Sequence, residues 1–159
     1  MDKNLLSFLE NHKIKYKIHL HPPVFTVAES KKLNAEIPGV FHTKNLFLKD
    51  EANNFFLVCM DAHKMLDLKS LKDKINALKK LRFASEQELR ENLNVSPGSV
   101  SIFAMIYSKN VSLIIDKKII ESEKVGFHPN INTATLEINK ENLEKYLSNL
   151  KCKKLVIEL

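Results

Sequence analysis

The sequence predicts an α/β fold, a single compact domain in which a mixed, mostly antiparallel sheet carries packed helices. Three observations predict it. Segments of helical periodicity alternate with short apolar segments of strand length. Several of those strand-length segments are joined by connections too short for a crossover helix, which permits antiparallel pairing. No repeat, low-complexity tract or Gly/Ser-rich linker divides the chain, so residues 1–159 read as one domain. A domain of this length buries roughly 70% of the surface its unfolded chain exposes.

Each element has its own local reason. Residues 2–12 read as a helix, with Asp2 as cap and Leu5, Leu6, Phe8 and Leu9 as the apolar face. Ile14, Tyr16, Ile18 and Leu20 alternate with polar residues, the period of a half-buried strand, and Pro22-Pro23 stops it. Thr26 and Glu29 have capping-box spacing and open a short helix, and Pro38-Gly39 marks a loop. Asn45 to Lys49 and Asn54 to Met60, separated by a polar turn, form a hairpin. Leu68, Leu71 and Ile75 define a helical face, and Ser85 with Glu88 is a second capping box. Ser99 to Ile106 and Val111 to Ile115 read as strands, as do Thr133 to Ile138 and Leu155 to Ile157. A helix from Lys140 to Leu150 lies between the last two.

Composition narrows the function classes. The longest apolar run, Phe55 to Met60, is far short of the roughly 20 residues that span a bilayer, and the N-terminus lacks a secretory apolar core. Cys59 and Cys152 have no metal-like or Cys-x-x-Cys spacing, which suits two reduced thiols in a cytoplasmic protein. The formal net charge is +6, and every basic residue except Arg82 and Arg90 is lysine. That balance favours polyanionic partners, though base-biased codon usage produces the same composition. The six histidines show no metal-ligand spacing, and no cofactor is expected. Nucleophile-elbow, phosphate-loop and dinucleotide motifs are all missing.

The three glycines stand beside the candidate functional groups. Gly39 precedes His42, Thr43, Lys44 and Asn45; Gly98 precedes Ser99 and Ser101; Gly126 precedes His128. Lys44, at the junction of a loop and an apolar strand, can hold a phosphate or stabilise an oxyanion, or it is one more solvated lysine. His128 can be a base, a ligand or a hydrogen-bonding wall, or a histidine satisfied by backbone. Ser99 and Ser101 can supply hydroxyl or backbone donors, or simply start a strand. The residues by themselves specify a basic α/β domain with polar loops and no particular reaction.

Taken together, four blocks resemble the YbaK/ProX family of aminoacyl-tRNA editing domains, specifically the ProXp-ala (PrdX) branch. They are Pro22 to Val27, Gly39 through His42-Thr43-Lys44-Asn45-Leu46-Phe47-Leu48, Ser96 to Ser101, and Phe127-His128-Pro129 with Asn132 to Thr135. They occur in the family's order along nearly the whole chain. The resemblance implies hydrolysis of the ester between a wrong amino acid and the 3′-terminal adenosine of a tRNA. Lys44 matches the family's functional lysine and Asn45 its partner. Lys44 is then expected to anchor the 3′ end and stabilise the oxyanion, with water as nucleophile. His128, Gly126 and the Gly98, Ser99 and Ser101 loop shape the amino-acid pocket together with His42 and Thr43, and Phe25-Thr26 closes over the bound end.

The implied substrate is alanine on proline tRNA. A prolyl-tRNA synthetase pocket rejects the smaller alanine weakly, because apolar contacts worth roughly 1–3 kcal/mol discriminate only about 10- to 200-fold. A second, smaller pocket that excludes proline supplies the missing factor. The acceptor stem meets the lysine-rich surface, with Arg82 a candidate contact, and the synthetase is a possible partner. One block departs from the branch: where Pro-Phe-Gly commonly follows Ser101, this chain has Ile102-Phe103-Ala104, and Tyr107-Ser108 replaces a common Asn-Asp. That change is expected on the pocket wall and leaves serine or cysteine as alternative acyl groups. A non-catalytic tRNA- or synthetase-binding module is the alternative from another class.

Overall fold

A computed structural model describes residues 1–159, except the side chain of Val27. The elements run α1 (Lys3–Asn11), β1 (Lys17–Leu20), α2 (Val27–Glu36), β2 (Phe41–Lys49), β3 (Phe55–Asp61), α3 (Leu68–Lys74), β4 (Arg82–Phe83) and α4 (Glu86–Leu93). A 3-10 helix (Ile102–Tyr107) follows, then β5 (Val111–Asp116), α5 (Lys117–Glu121), β6 (Lys124–Phe127), β7 (Ala134–Asn139), α6 (Lys140–Ser148) and β8 (Lys154–Ile157).

The eight strands form one mixed sheet in the order β1-β7-β6-β2-β3-β5-β8, with the short β4 also paired to β2. The β1–β7, β6–β7, β2–β3 and β2–β4 pairs are antiparallel. The β2–β6, β3–β5 and β5–β8 pairs are parallel. The expected mixed sheet is present, and antiparallel pairing predominates by one pair.

The β2–β3 hairpin is buried on both faces. Phe47, Leu57 and Cys59 point into a core that includes Leu5 and Leu9 of α1, Phe103 and Tyr146. Leu48, Phe56, Val58 and Met60 point into a second cluster with Leu71 and Leu81. Burial on both sides explains why the β3 sequence reads as an unbroken apolar run rather than an alternating one.

The caps form as their spacing predicts. The Asp2 carboxylate accepts the backbone N–H of Asn4 at 2.9 Å, and both capping boxes, Thr26 with Glu29 and Ser85 with Glu88, close reciprocally. Three sequence expectations need correction. Ser99 to Ile106 is not a strand. Ser101 caps the 3-10 helix by accepting the Phe103 N–H at 3.2 Å, and Ile102 to Met105 are all buried, with the Tyr146 hydroxyl donating to the Ile102 carbonyl at 2.8 Å. A short apolar run does not by itself distinguish strand from helix, and here tertiary burial decides. Strand β2 begins at Phe41 rather than Asn45, so Lys44 lies within a strand and not at a loop junction. Gly126 belongs to β6, a strand the sequence did not reveal, and not to a loop.

One topological feature positions the site. Along one edge β2 is covered by β3 over Thr43 to Lys49. Its other edge is shared: β6 pairs only Phe41 and His42, and β4 only Leu48 and Lys49. Between them, Thr43 to Leu46 face a gap in the sheet among the described residues.

Candidate active site

At the β2–β6 junction His42 is opposite Gly126. A Cβ at position 126 would lie 2.9 Å from Val40 Cγ1 and 3.1 Å from Thr135 Cγ2, so any larger residue would force these side chains to shift. The Thr43 hydroxyl donates to the Gly126 carbonyl at 2.8 Å and pins the two strands where they begin to separate. Beside this junction is a cavity of about 40 Å³, walled by His42, Thr43, Gly126, His128 and Thr135. By the usual criterion of about 10–15 Å³ per water, it holds about three waters or a small group. Val24, residues Ser30, Leu33 and Asn34 of α2, Ala62 and Phe127 complete its lining.

Histidines dominate its polar wall. His42 Nε2 is 3.1 Å from the Ile37 carbonyl. A carbonyl only accepts, so that nitrogen carries the proton and Nδ1 is left as an acceptor, 3.5 Å from where a Gly126 Cβ would be. By the same logic His21 donates from Nδ1 to the Pro22 carbonyl at 2.8 Å, and its Nε2 accepts from the Thr135 hydroxyl at 3.0 Å. The His128 and His21 ring centroids are 6.1 Å apart. Burial, and then the neighbouring His21 and His42, hold His128 below its ordinary value of 6.5. Burial also lowers His42, against the hydrogen bond to Ile37. Both imidazoles are therefore neutral at pH 7. Among the described residues no three His, Cys, Asp or Glu side chains are placed to hold a metal ion.

A larger groove of about 540 Å³ adjoins the cavity and shares Ser30 and Ala62 with it. Lys31, Lys44 and Lys64 line this groove, with His63 and Met65, and no carboxylate does. Lys44 thus stands at the cavity's approach rather than on its wall. Asn45, on the opposite face of β2 by the period-two alternation, keeps a buried Oδ1 without a partner among the described residues. Its register neighbour Cys59 is fully buried, and burial pushes that thiol far above its ordinary value, which removes it as a nucleophile.

The remaining expected site residues fall elsewhere. Phe25 is exposed just ahead of α2, and Thr26 is that helix's cap. Gly98 occupies a positive-φ turn, Ser99 follows it, and Ser101 is buried as the 3-10 cap; none of the three lines the cavity. Ile102 and Ala104 are fully buried core residues and not the pocket wall they were expected to form. Tyr107 donates its hydroxyl to Asp2 at 2.6 Å. Arg82 on β4 pairs with Lys49, at the end of β2 away from His42. His21 and Ala62 were not singled out from sequence, and Thr135 entered only within a matching block. The one usable signal was His21 itself, a histidine between the alternating strand and Pro22-Pro23.

Residues 21–146 match the aminoacyl-tRNA editing domain family, and this range contains every residue of the cavity and groove. The chain belongs to that family. It is 37% identical over 144 residues to the prolyl-tRNA editing protein ProX of Acetoanaerobium sticklandii, covering 89% of this chain and 87% of that protein. It is 34% identical over 149 residues to the prolyl-tRNA synthetase associated domain-containing protein 1 of Danio rerio, covering 91% and 80%. Among solved structures, a hypothetical protein superposes with a TM-score of 0.77 at 20% identity over 98% of each chain. A candidate trans-editing enzyme for prolyl tRNA synthetase superposes with a TM-score of 0.72 at 16% identity, over 100% of this chain and 99% of that one. These two likenesses show that this editing-domain chain shares their fold.

Proposed function

We propose that this protein is a trans-acting deacylase of the ProXp-ala branch that hydrolyses the ester of Ala-tRNA(Pro). The observation that carries the reading is the junction of two spaces of opposite character. A cavity sized for a small group, walled by neutral imidazoles and a closely packed glycine, opens beside a groove lined by three lysines. An aminoacyl ester at a tRNA 3′ end has that same polarity, a small acyl group next to an anionic backbone. The names of the relatives, a prolyl-tRNA editing protein and a prolyl-tRNA synthetase associated domain-containing protein, support editing on proline tRNA.

In this reading the alanyl group enters the cavity, and Lys44 meets the phosphate of the terminal adenosine. As water adds to the ester carbonyl, negative charge grows on its oxygen, and the Lys44 ammonium stabilises it more in the transition state than in the ground state. Neutral His128 accepts a hydrogen bond from the attacking water and orients it, helped by a substrate ribose hydroxyl. The water supplies OH to the acyl carbon, the C–O bond to the ribose breaks, and the ribose oxygen takes the proton. Alanine and intact tRNA are released, with no covalent enzyme intermediate. Proline is rejected because its ring does not fit beside Gly126 and Thr135.

The test is deacylation of Ala-, Pro-, Ser- and Cys-tRNA(Pro) by purified protein. Rapid loss of alanine with proline spared is expected. Preference for serine or cysteine would correct the substrate, and no turnover on any of the four would leave a binding module in place of an enzyme.

A further inference from the structure

We infer that the tRNA 3′ strand leaves the cavity along the side of α2 that faces Lys44 and Lys64, and not along the side that faces Pro22 and Pro23. Helix α2 has a space on each flank. On one side the groove carries Lys31, Lys44 and Lys64 without a carboxylate. On the other, a cleft of about 230 Å³ is lined by Glu29 and Glu36 with Lys32 as its only lysine. Glu29 is ionised at neutral pH, because the backbone N–H groups of Phe25 and Thr26 donate to it and hold its pKa down. A polyanion is drawn to the first side and repelled from the second.

Both spaces touch the cavity: the groove shares Ser30 and Ala62 with it, and the cleft shares Val24 and Leu33. Shape alone therefore leaves two exits, and charge selects between them. Lys31 on α2 and Lys64 after β3 reach the groove from different elements, and the phosphate ahead of the terminal nucleotide comes between them. Met65, 90% exposed beside them, offers a polarizable thioether on which a base face packs. The ligand's identity as a tRNA rests on the deacylase reading; the choice of side rests on the charges alone.

Lys31 and Lys32 are neighbours on one helix, both exposed, and they line opposite flanks. That makes Lys31→Ala and Lys32→Ala a matched pair with little effect on folding. Lys64 is less suitable because its ammonium also donates to the Leu159 carbonyl. Binding of uncharged tRNA(Pro) is measured across a salt series, which needs no turnover. Lys31→Ala is expected to flatten the slope of log affinity against log salt by about 0.7, the release of one counterion from single-stranded nucleic acid, and to leave Lys32→Ala at the wild-type slope. An effect of Lys32→Ala alone, or equal effects of both, would overturn the assignment. Binding with the expected slopes but no hydrolysis of any aminoacyl-tRNA would sink the deacylase reading and keep the path.

Discussion

Helices α2 and α6 are of nearly equal length, and each starts on a side chain that caps its first turn, Thr26 and Asn139. They differ in what lies beneath them. Helix α6 buries Asn142, Leu143, Tyr146 and Leu147, and Tyr146 reaches across to hold the 3-10 helix. Among the described side chains of α2, only Leu33 is buried. Its other ties to the body are the buried Ile37 side chain at its C-cap, the 2.9 Å contact of Asn34 with His63 and the hydrogen bond from His42 to the Ile37 carbonyl. Most helical stability comes from packing an apolar face. Helix α6 has that packing, whereas α2 depends on its capping box and covers the cavity with little apolar contact. The lesson is that, of these two helices, the one that packs less apolar surface is the one that covers the cavity.

The comparison can be broken from either side. Leu143→Ala is expected to cost about 2–5 kcal/mol of global stability, read by urea or thermal unfolding, because it empties a core site under α6. A loss below about 1 kcal/mol would mean that α6 is not the packed member of the pair. Thr26→Ala removes the capping box and is expected to cost about 1 kcal/mol, confined to α2. Amide exchange in residues 28–36 should quicken while the global unfolding midpoint stays near wild type. A matching fall in global stability would show that α2 unfolds with the body. The smallest effect is that of pH. The native state favours neutral His128 and His42, so the unfolded chain takes up protons first as pH falls through 6.5. Stability is thus at its full value above 6.5 and declines on acidification until the lowered native values are passed. Deacylation should be flat from pH 8 to 7 and decline with an apparent midpoint below 6.5. A rate that rose on acidification would remove neutral His128 from the mechanism.

The sequence made legible what depends on local chemistry. Asp2, Thr26 with Glu29 and Ser85 with Glu88 each satisfy backbone donors within a few residues, so their spacing announces them. The Phe55 to Met60 run announces β3 in the same way. What depends on distant partners was hidden. Val125-Gly126-Phe127 is too short to show a period, and only contact with Val40 and Thr135 reveals why position 126 is glycine. Ile102 to Met105 offered an apolar run with no indication of its geometry, which the Tyr146 hydroxyl and the Ser101 cap settle. For the site, the matching blocks named His42, Thr43, Lys44 and His128, and Gly126 stood out as a glycine beside them; the fold gathers all five at one junction. Ser30 and Ala62, shared by cavity and groove, carry no chemical label in a sequence. His21 did, but its bond to Thr135 spans more than a hundred residues.

The most direct measurement of the central claim is single-turnover deacylation of Ala-tRNA(Pro) by Lys44→Ala beside the wild type, with thermal unfolding of both. Lys44 lines the groove and makes no ion pair among the described residues, so its removal should leave the melting temperature nearly unchanged. The account predicts a rate loss of roughly tenfold or more, as expected for removing a group that stabilises developing charge. Wild-type turnover by the folded variant would contradict it and move the chemistry away from β2.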